Sequence, residues 1–193
     1  MRKLIVISFL TLDGVMQAPG GENEDPSGGF KYGGWQIPFF GGDDNPVADA
    51  MTKAGALFIG RKTYDIFAGY WPTEGKDIPM FGDFMNNITK YVASKTLKKT
   101  EWQNSVLLEG DLSKAVQKIK SEAGKDIYMF GSGDLCQTLM QHKLIDEYLL
   151  MIHPLALGHG KRLFRPESPK QDLELTSSKT TKEGVLILNY RTK

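Results

Sequence analysis

Three short segments of this chain combine glycine, hydroxyl and cationic side chains as phosphate recognition requires: Gly60-Arg61-Lys62-Thr63, Ser94-Lys95-Thr96 and Gly131-Ser132-Gly133. A glycine lets backbone amides approach a phosphate, and a helix starting there presents N–H groups with no intrahelical partner. In the first segment Arg61 and Thr63 add a charged fork and a hydroxyl donor, although a plain strand-to-helix turn uses the same residue types. In the second, Ser94 and Lys95 suit a terminal phosphate such as the 2′-phosphate of NADP, and a solvated turn also fits them. The third could set a pyrophosphate on a helix N-terminus. Position 136 is cysteine where G-x-G-x-x-G needs glycine, and the segment lies far from the N-terminus, which argues against an N-terminal Rossmann unit.

These segments need strands to present them. Short β-branched runs alternate with helix-like stretches, the pattern of an α/β domain. Strands are expected over 4–12, 56–59, 91–94, 106–109, 127–130 and 147–153, several apolar at consecutive positions, as strands covered on both faces should be. Asp111 should cap a helix with Leu112, Ala115, Val116, Ile119 and Ala123 on one face, ended by Gly124. A second helix follows Gly133 with Leu135, Cys136, Leu139 and Met140 inward, and others cover 47–54, 62–67 and 80–88. An antiparallel hairpin over 173–181 and 185–190 makes the sheet mixed but mostly parallel. All 193 residues read as one domain, large enough to bury roughly 70% of its unfolded surface.

Composition removes several function classes. With 24 basic against 23 acidic side chains the chain has no field to gather nucleic acid or an anionic membrane, and no apolar run is long enough to cross a bilayer. Met1-Arg2-Lys3 followed by an apolar run imitates a signal peptide, yet Ser8 within the run and Asp13-Gly14 after it suit a buried strand, so a cytoplasmic protein is expected. The single cysteine, Cys136, agrees with a reducing compartment, and three scattered histidines make a metal site unexpected. No G-x-S-x-G elbow and no deaminase zinc motif is present. Eight of the 21 glycines fall between Gly20 and Gly42 beside Trp35, Phe39 and Phe40, which suggests a mobile loop closing over something flat, or simply a long surface loop.

Taken in order, these segments resemble the dihydrofolate reductase-like superfamily, in particular its branch of riboflavin-pathway pyrimidine reductases. The resemblance rests on Ser8-Phe9-Leu10-Thr11-Leu12-Asp13-Gly14-Val15, Gly60-Arg61-Lys62-Thr63-Tyr64, Phe130-Gly131-Ser132-Gly133, and Leu144-Ile145-Asp146-Glu147 running into the stretch His153 to Phe164. It covers nearly the whole chain and implies a three-layer α/β/α sandwich, an NADPH-dependent reductase and a homodimer. By position, Gly60, Arg61 and Thr63 would hold cofactor phosphates, Ser94 and Lys95 the 2′-phosphate, and Gly131, Ser132, Gly133 and Leu135 the pyrophosphate. The loop from Asp13 to Met16, with Gly14 and Met16 as its contacts, would flank the nicotinamide.

One departure bears on the substrate. True dihydrofolate reductases carry Trp-x-Leu-Pro-x-acid, whose carboxylate binds the pterin; here Trp35-Gln36-Ile37-Pro38-Phe39-Phe40 places phenylalanine at that position. Trp35 and Phe40 could stack on a heterocycle, but Phe40 cannot assist proton delivery. Asp44, or Asp43, could stand in as the catalytic carboxylate if the loop folds back, and N-capping is the other reading. The branch's substrates carry a ribose phosphate, for which Lys161 and Arg162 are candidates, with a solvated basic turn as the alternative. His153 reads as a packed strand residue. The expectation is hydride transfer from NADPH to a C=N or iminium carbon of a heterocyclic substrate. Folate reduction, or nucleotide binding without chemistry, are the rivals.

Overall fold

The first strand, β1 (Leu4–Thr11), is apolar on both sides of its pleat and is flanked by strands on both edges. Leu4, Val6 and Leu10 face one way; Ile5 and Ile7 face the other. The computed structural model describes residues 1–40 and 45–193. The remaining strands are β2 (Ala54–Gly60), β3 (Lys90–Ala93), β4 (Ser105–Leu108), β5 (Asp126–Phe130), β6 (Glu147–His153), β7 (Leu173–Thr180) and β8 (Leu186–Thr192). They form one sheet in the order β4-β3-β2-β5-β1-β6-β8-β7, in which β8 alone runs against the others. Each expected strand is present, its ends shifted by a residue or two.

Among the described residues five α-helices cover the two faces: α1 (Pro46–Lys53), α2 (Arg61–Tyr70), α3 (Phe81–Asn87), α4 (Leu112–Ser121) and α5 (Gly133–Gln141). Val47, Ala50 and Met51 of α1, Tyr64 of α2 and Met85 of α3 pack with Ile5, Ile7, Leu57 and Ile59. On the opposite face Val116 and Ile119 of α4 and Cys136, Leu139 and Met140 of α5 pack with Leu4, Val6, Phe58 and Met129. Each such side chain contributes about 1.5–3 kcal/mol when fully buried, so the two clusters hold the sandwich together. The expected three-layer α/β/α architecture with a C-terminal antiparallel hairpin is therefore what the chain adopts. No described helix is long and apolar enough to cross a membrane.

Local signals explain most helix starts. Asn45 Oδ1 accepts from the Ala48 amide at 3.1 Å with Pro46 following, and Asp111 Oδ1 accepts from the Lys114 amide at 2.9 Å. Two expectations are corrected. The helix after Asp111 stops at Ser121, where Glu122 turns to an extended backbone, so Ala123 is exposed while Lys120 points inward. Its Nζ donates to the Leu144 carbonyl at 3.0 Å and meets Asp146 at 2.5 Å. Met80, expected as the first residue of the 80–88 helix, is half exposed ahead of α3 with φ +67°.

Lys90 is fully buried, an outcome that its residue type did not suggest. Its Nζ donates to the carbonyls of Met85 at 2.8 Å and Ile88 at 2.9 Å and lies 4.1 Å from the Trp102 ring centroid. It thereby satisfies carbonyls that the end of α3 leaves without helical partners.

Strand order decides where a ligand can sit. From β2 the chain leaves through α2 on one face toward β3; from the adjacent β5 it leaves through α5 on the other face toward β6. Neighbouring strands whose connections part in this way open a crevice at their carboxyl ends.

Candidate functional site

The turns after β2 and β5 meet in that crevice. Ser132 Oγ accepts from the Gly60 amide at 2.9 Å and lies 3.0 Å from Thr63 Oγ1 and 3.1 Å from the Phe130 carbonyl. Thr63 Oγ1 also accepts from the Ser132 amide at 3.1 Å. Two turns some seventy residues apart are joined by side chains at the first helical turns of α2 and α5.

Ser132 directly precedes α5, yet its hydroxyl does not cap that helix, and its backbone is left-handed at φ 55°. Such a conformation costs a non-glycine residue about 1 kcal/mol or more and persists where its surroundings enforce it. The first-turn amides of α5 consequently receive no capping side chain. Gly131 has φ +57°, and a Cβ there would come within 3.2 Å of Thr63 Oγ1, so both conformation and space call for glycine.

The loop after β1 forms the next wall. Val15 bridges Arg162 in antiparallel fashion, and the Met16 amide donates to the Lys161 carbonyl at 2.8 Å. Met16 Sδ lies 3.0 Å from where a Cβ on Gly133 would be. Asp13 holds this arrangement. Its carboxylate accepts from the Thr11 hydroxyl at 2.6 Å, the Leu157 amide at 3.1 Å and the Gly158 amide at 2.8 Å. The Thr11 hydroxyl, followed by the two amides, lowers the Asp13 carboxyl to about 2. Arg162 joins from the side, its Nε donating to the Asp13 carbonyl at 2.9 Å.

The structure distributes the expected site residues unevenly. Gly60, Thr63, Gly131, Ser132 and Gly133 converge, Leu135 packs beside Gly60, and Met16 lies against Gly133. Gly14, at φ +80° with nothing within 4 Å of a Cβ, makes the turn that brings Met16 there. Arg61 lies at the crevice, with its Nε on both Asp65 oxygens at 2.8 and 2.7 Å. Ser94 follows Ala93, the register partner of Gly60, so it opens on the same sheet edge one strand farther out. Its Oγ accepts from the amides of Thr96 and Leu97, and Lys95 is exposed beside it.

The substrate-side expectations fare differently. Lys161 Nζ is held by Asp25 at 2.5 Å and Ser27 Oγ at 2.6 Å, and Arg162 by Asp13, so both cations already have partners. Trp35 is 7% exposed, its Nε1 donating to the Gln17 carbonyl at 2.7 Å, and it packs with Val15, Ala18 and Phe30. It is a wall of the loop rather than a free stacking face. Phe40 is 60% exposed, while Asp43 and Asp44 lie outside the described residues. His153 is a packed strand residue: Nδ1 lies 3.2 and 3.1 Å from the carbonyls of Leu10 and Met151, so it carries the proton. The edges of Trp35 and Phe39 meet its ring, and burial lowers its pKa, leaving the imidazole neutral.

Sequence reasoning missed Asp13 as an anchor, Gln17, and Arg165. Gln17 accepts from the Lys161 amide and donates to the carbonyls of Asp25 and Ser27. The Thr-x-Asp-Gly spacing of Thr11 to Gly14 is a turn signature that could have flagged Asp13. Nothing local marks Gln17 or Arg165, whose partners include Lys161 for the one and Asp134 for the other, both remote in the chain.

Comparison with known proteins agrees with this geometry. Residues 2–187 match the family model described as RibD C-terminal domain. Two Bacillus subtilis (strain 168) proteins align along nearly their whole length. The uncharacterized protein YyaP is 28% identical, covering 98% of this chain and 94% of its own. The uncharacterized protein YwjB is 22% identical, with 96% of each chain covered. Among solved structures, a "Putative riboflavin biosynthesis protein" from Shewanella sp. PV-4 superposes with a TM-score of 0.71 at 19% identity over 99% of both chains. A pyrimidine reductase-like protein from Corynebacterium diphtheriae gives 0.61 at 12% identity, over 100% of this chain and 92% of its own.

Proposed function

Since the chain belongs to the RibD C-terminal domain family, a family of reductases with a dihydrofolate reductase-like fold, we propose that it is an NADPH-dependent reductase acting on a C=N or iminium carbon of a heterocyclic substrate. The observation that carries this reading is the joining of the β2 and β5 turns through Gly60, Thr63 and Ser132. That junction leaves the first-turn amides of α5 uncapped at a glycine turn, a fit for a pyrophosphate. In this reading Gly131 and Gly133 admit the phosphates, and Thr63 and Ser132 hold the two turns at fixed spacing. Ser94 and Lys95 take the 2′-phosphate, one strand out along the same edge. Met16 borders the nicotinamide, placed by the Asp13 anchor.

A bound NADPH would supply the hydride. The residues around it then align the reactants and exclude water, which suits a site where no described nucleophile–base pair is needed. Proton delivery is assigned to solvent. The neutral His153 is closed off by Trp35 and Phe39, so it serves packing. The substrate is assigned to the pyrimidine-ribosylamine class, and two copies pair through the C-terminal half. Light scattering in solution checks the pairing, which a monomer at all concentrations would remove.

The test is titration with NADPH and NADH followed by oxidation assays on a pyrimidine-ribosylamine and on dihydrofolate. Tight NADPH binding with oxidation by the pyrimidine supports the proposal. Dihydrofolate as the better substrate would shift the assignment to folate reduction through Asp43 or Asp44. Binding without oxidation of either would favour a nucleotide-binding module, and indifference to both coenzymes would remove the cofactor assignment.

A further inference from the structure

Arg165 lies beyond every motif that pointed to the site, yet its guanidinium sits over the N-terminus of α5. Nη2 is 3.4 Å from the position a Cβ on Gly133 would take, on the glycine turn itself. The same nitrogen donates to Asp134 Oδ1 at 2.6 Å, in the first turn of α5.

The guanidinium is fixed from behind. Nε points to the Arg162 carbonyl at 3.4 Å, and the Arg165 amide donates to Ser168 Oγ at 2.8 Å. Ser168 Oγ donates to Gln137 Oε1 at 2.5 Å, and Gln137 Nε2 donates to the Leu163 carbonyl at 2.8 Å. Gln137 belongs to α5, so the helix that presents the free amides also holds the segment carrying Arg165. A planar fork beside uncapped amides is suited to phosphate oxygens.

The two partners of the ion pair differ in exposure. The Arg165 side chain is 24% exposed, whereas Asp134 is 71% exposed. Asp134 can swing into water at little cost, while Arg165 cannot leave without breaking its fixings. The Arg165 guanidinium beside it lowers the Asp134 carboxyl, so the carboxylate stays charged on its partner. That carboxylate occupies the guanidinium face beside the glycine turn.

We infer that Arg165 is a pyrophosphate-binding residue of the cofactor site and that Asp134 is an internal competitor, released when a diphosphate takes its place on the guanidinium. The inference rests on the cofactor reading above and adds to it one binding residue and one built-in opponent. A ligand with a diphosphate then gains Arg165 at the expense of an exposed ion pair, whereas a mononucleotide gains nothing there.

The experiment is calorimetric titration of wild type, Arg165→Gln and Asp134→Asn with 2′-phospho-ADP-ribose, which has the diphosphate, and with 2′-AMP, which lacks it. Loss of a charge-assisted phosphate contact predicts about tenfold or greater weakening of 2′-phospho-ADP-ribose in Arg165→Gln, and removal of the competitor about threefold tightening in Asp134→Asn. Binding of 2′-AMP should stay within about twofold in both, since only the diphosphate engages the guanidinium. Both substitutions break one ion pair, so a purely structural role would move affinity the same way in each. Thermal melts of the two variants report that shared cost. Parallel changes, an unchanged Arg165→Gln, or equal losses for 2′-AMP would overturn the inference while leaving the cofactor reading in place. Failure of wild type to bind either nucleotide would overturn both.

Discussion

Replacing Asp13 by asparagine tests whether its carboxylate joins the β1 loop to the 154–162 loop. The structure sets the magnitude. Lowering a carboxyl from its ordinary 3.8 to about 2 corresponds to at most about 2.5 kcal/mol favouring the charged fold. The side chain is 24% exposed, so solvent screening reduces this to about 1–2 kcal/mol. Asparagine keeps one acceptor oxygen but presents an NH2 where the Thr11 hydroxyl or the Leu157 and Gly158 amides now donate, so most of that stabilisation should go. For a chain of this length the melting temperature should fall by about 3–6 °C at pH 7.

The pH dependence has a definite sign. The unfolded carboxyl takes up its proton near 3.8 and the folded one near 2, so the contribution is complete above about pH 4 and disappears as pH falls toward 2. Calorimetric melts of wild type and Asp13→Asn from pH 7 downward should show a constant gap that begins to close below pH 4. Equal stability at pH 7, or a gap unchanged at pH 2.5–3, would refute the reasoning.

Ser132→Ala removes the oxygen that accepts the Gly60 amide and should weaken NADPH binding by about 5–20-fold, a loss on the scale of one or two hydrogen bonds, read by fluorescence titration. Ser94→Ala combined with Lys95→Gln should cost NADPH affinity about tenfold or more and leave NADH nearly unchanged, because only NADPH carries the 2′-phosphate. Lys90→Met should destabilise the fold by about 2–4 kcal/mol in urea denaturation at pH 7, since it leaves the Met85 and Ile88 carbonyls without their donor. Burial pushes the Lys90 ammonium down to about 8 from 10.5, so between those values the unfolded chain binds the extra proton. Wild type should therefore gain on Lys90→Met as pH rises from 8 toward 10.5, by up to about 3 kcal/mol.

The two glycine turns that meet in the crevice were legible because their signal is local. A glycine ending an apolar run, followed by a hydroxyl residue and a helix, announces Gly60 to Thr63 and Gly131 to Gly133 without tertiary information. Lys161 and Arg162 show where that reasoning stops. Two adjacent cations in a glycine loop look available for a substrate phosphate, but Asp25 and Asp13, more than a hundred residues earlier, neutralise them. Trp35 in a glycine-rich stretch looks like a flap, yet Gln17 and Ala18 supply a packing surface that hides its ring. Lys90 reads as a surface residue until the end of α3 and Trp102 close around it.

The sequence by itself determined the alternation of strands and helices and the glycine turns that follow β2 and β5, because periodicity and backbone conformation depend on neighbours along the chain. Only the tertiary structure decided that β5 inserts between β2 and β1, which puts those turns in one crevice, and that Arg165 rests over Gly133. Strand order and ion pairing join residues remote in sequence, and their energies depend on distance and burial that the folded chain alone creates.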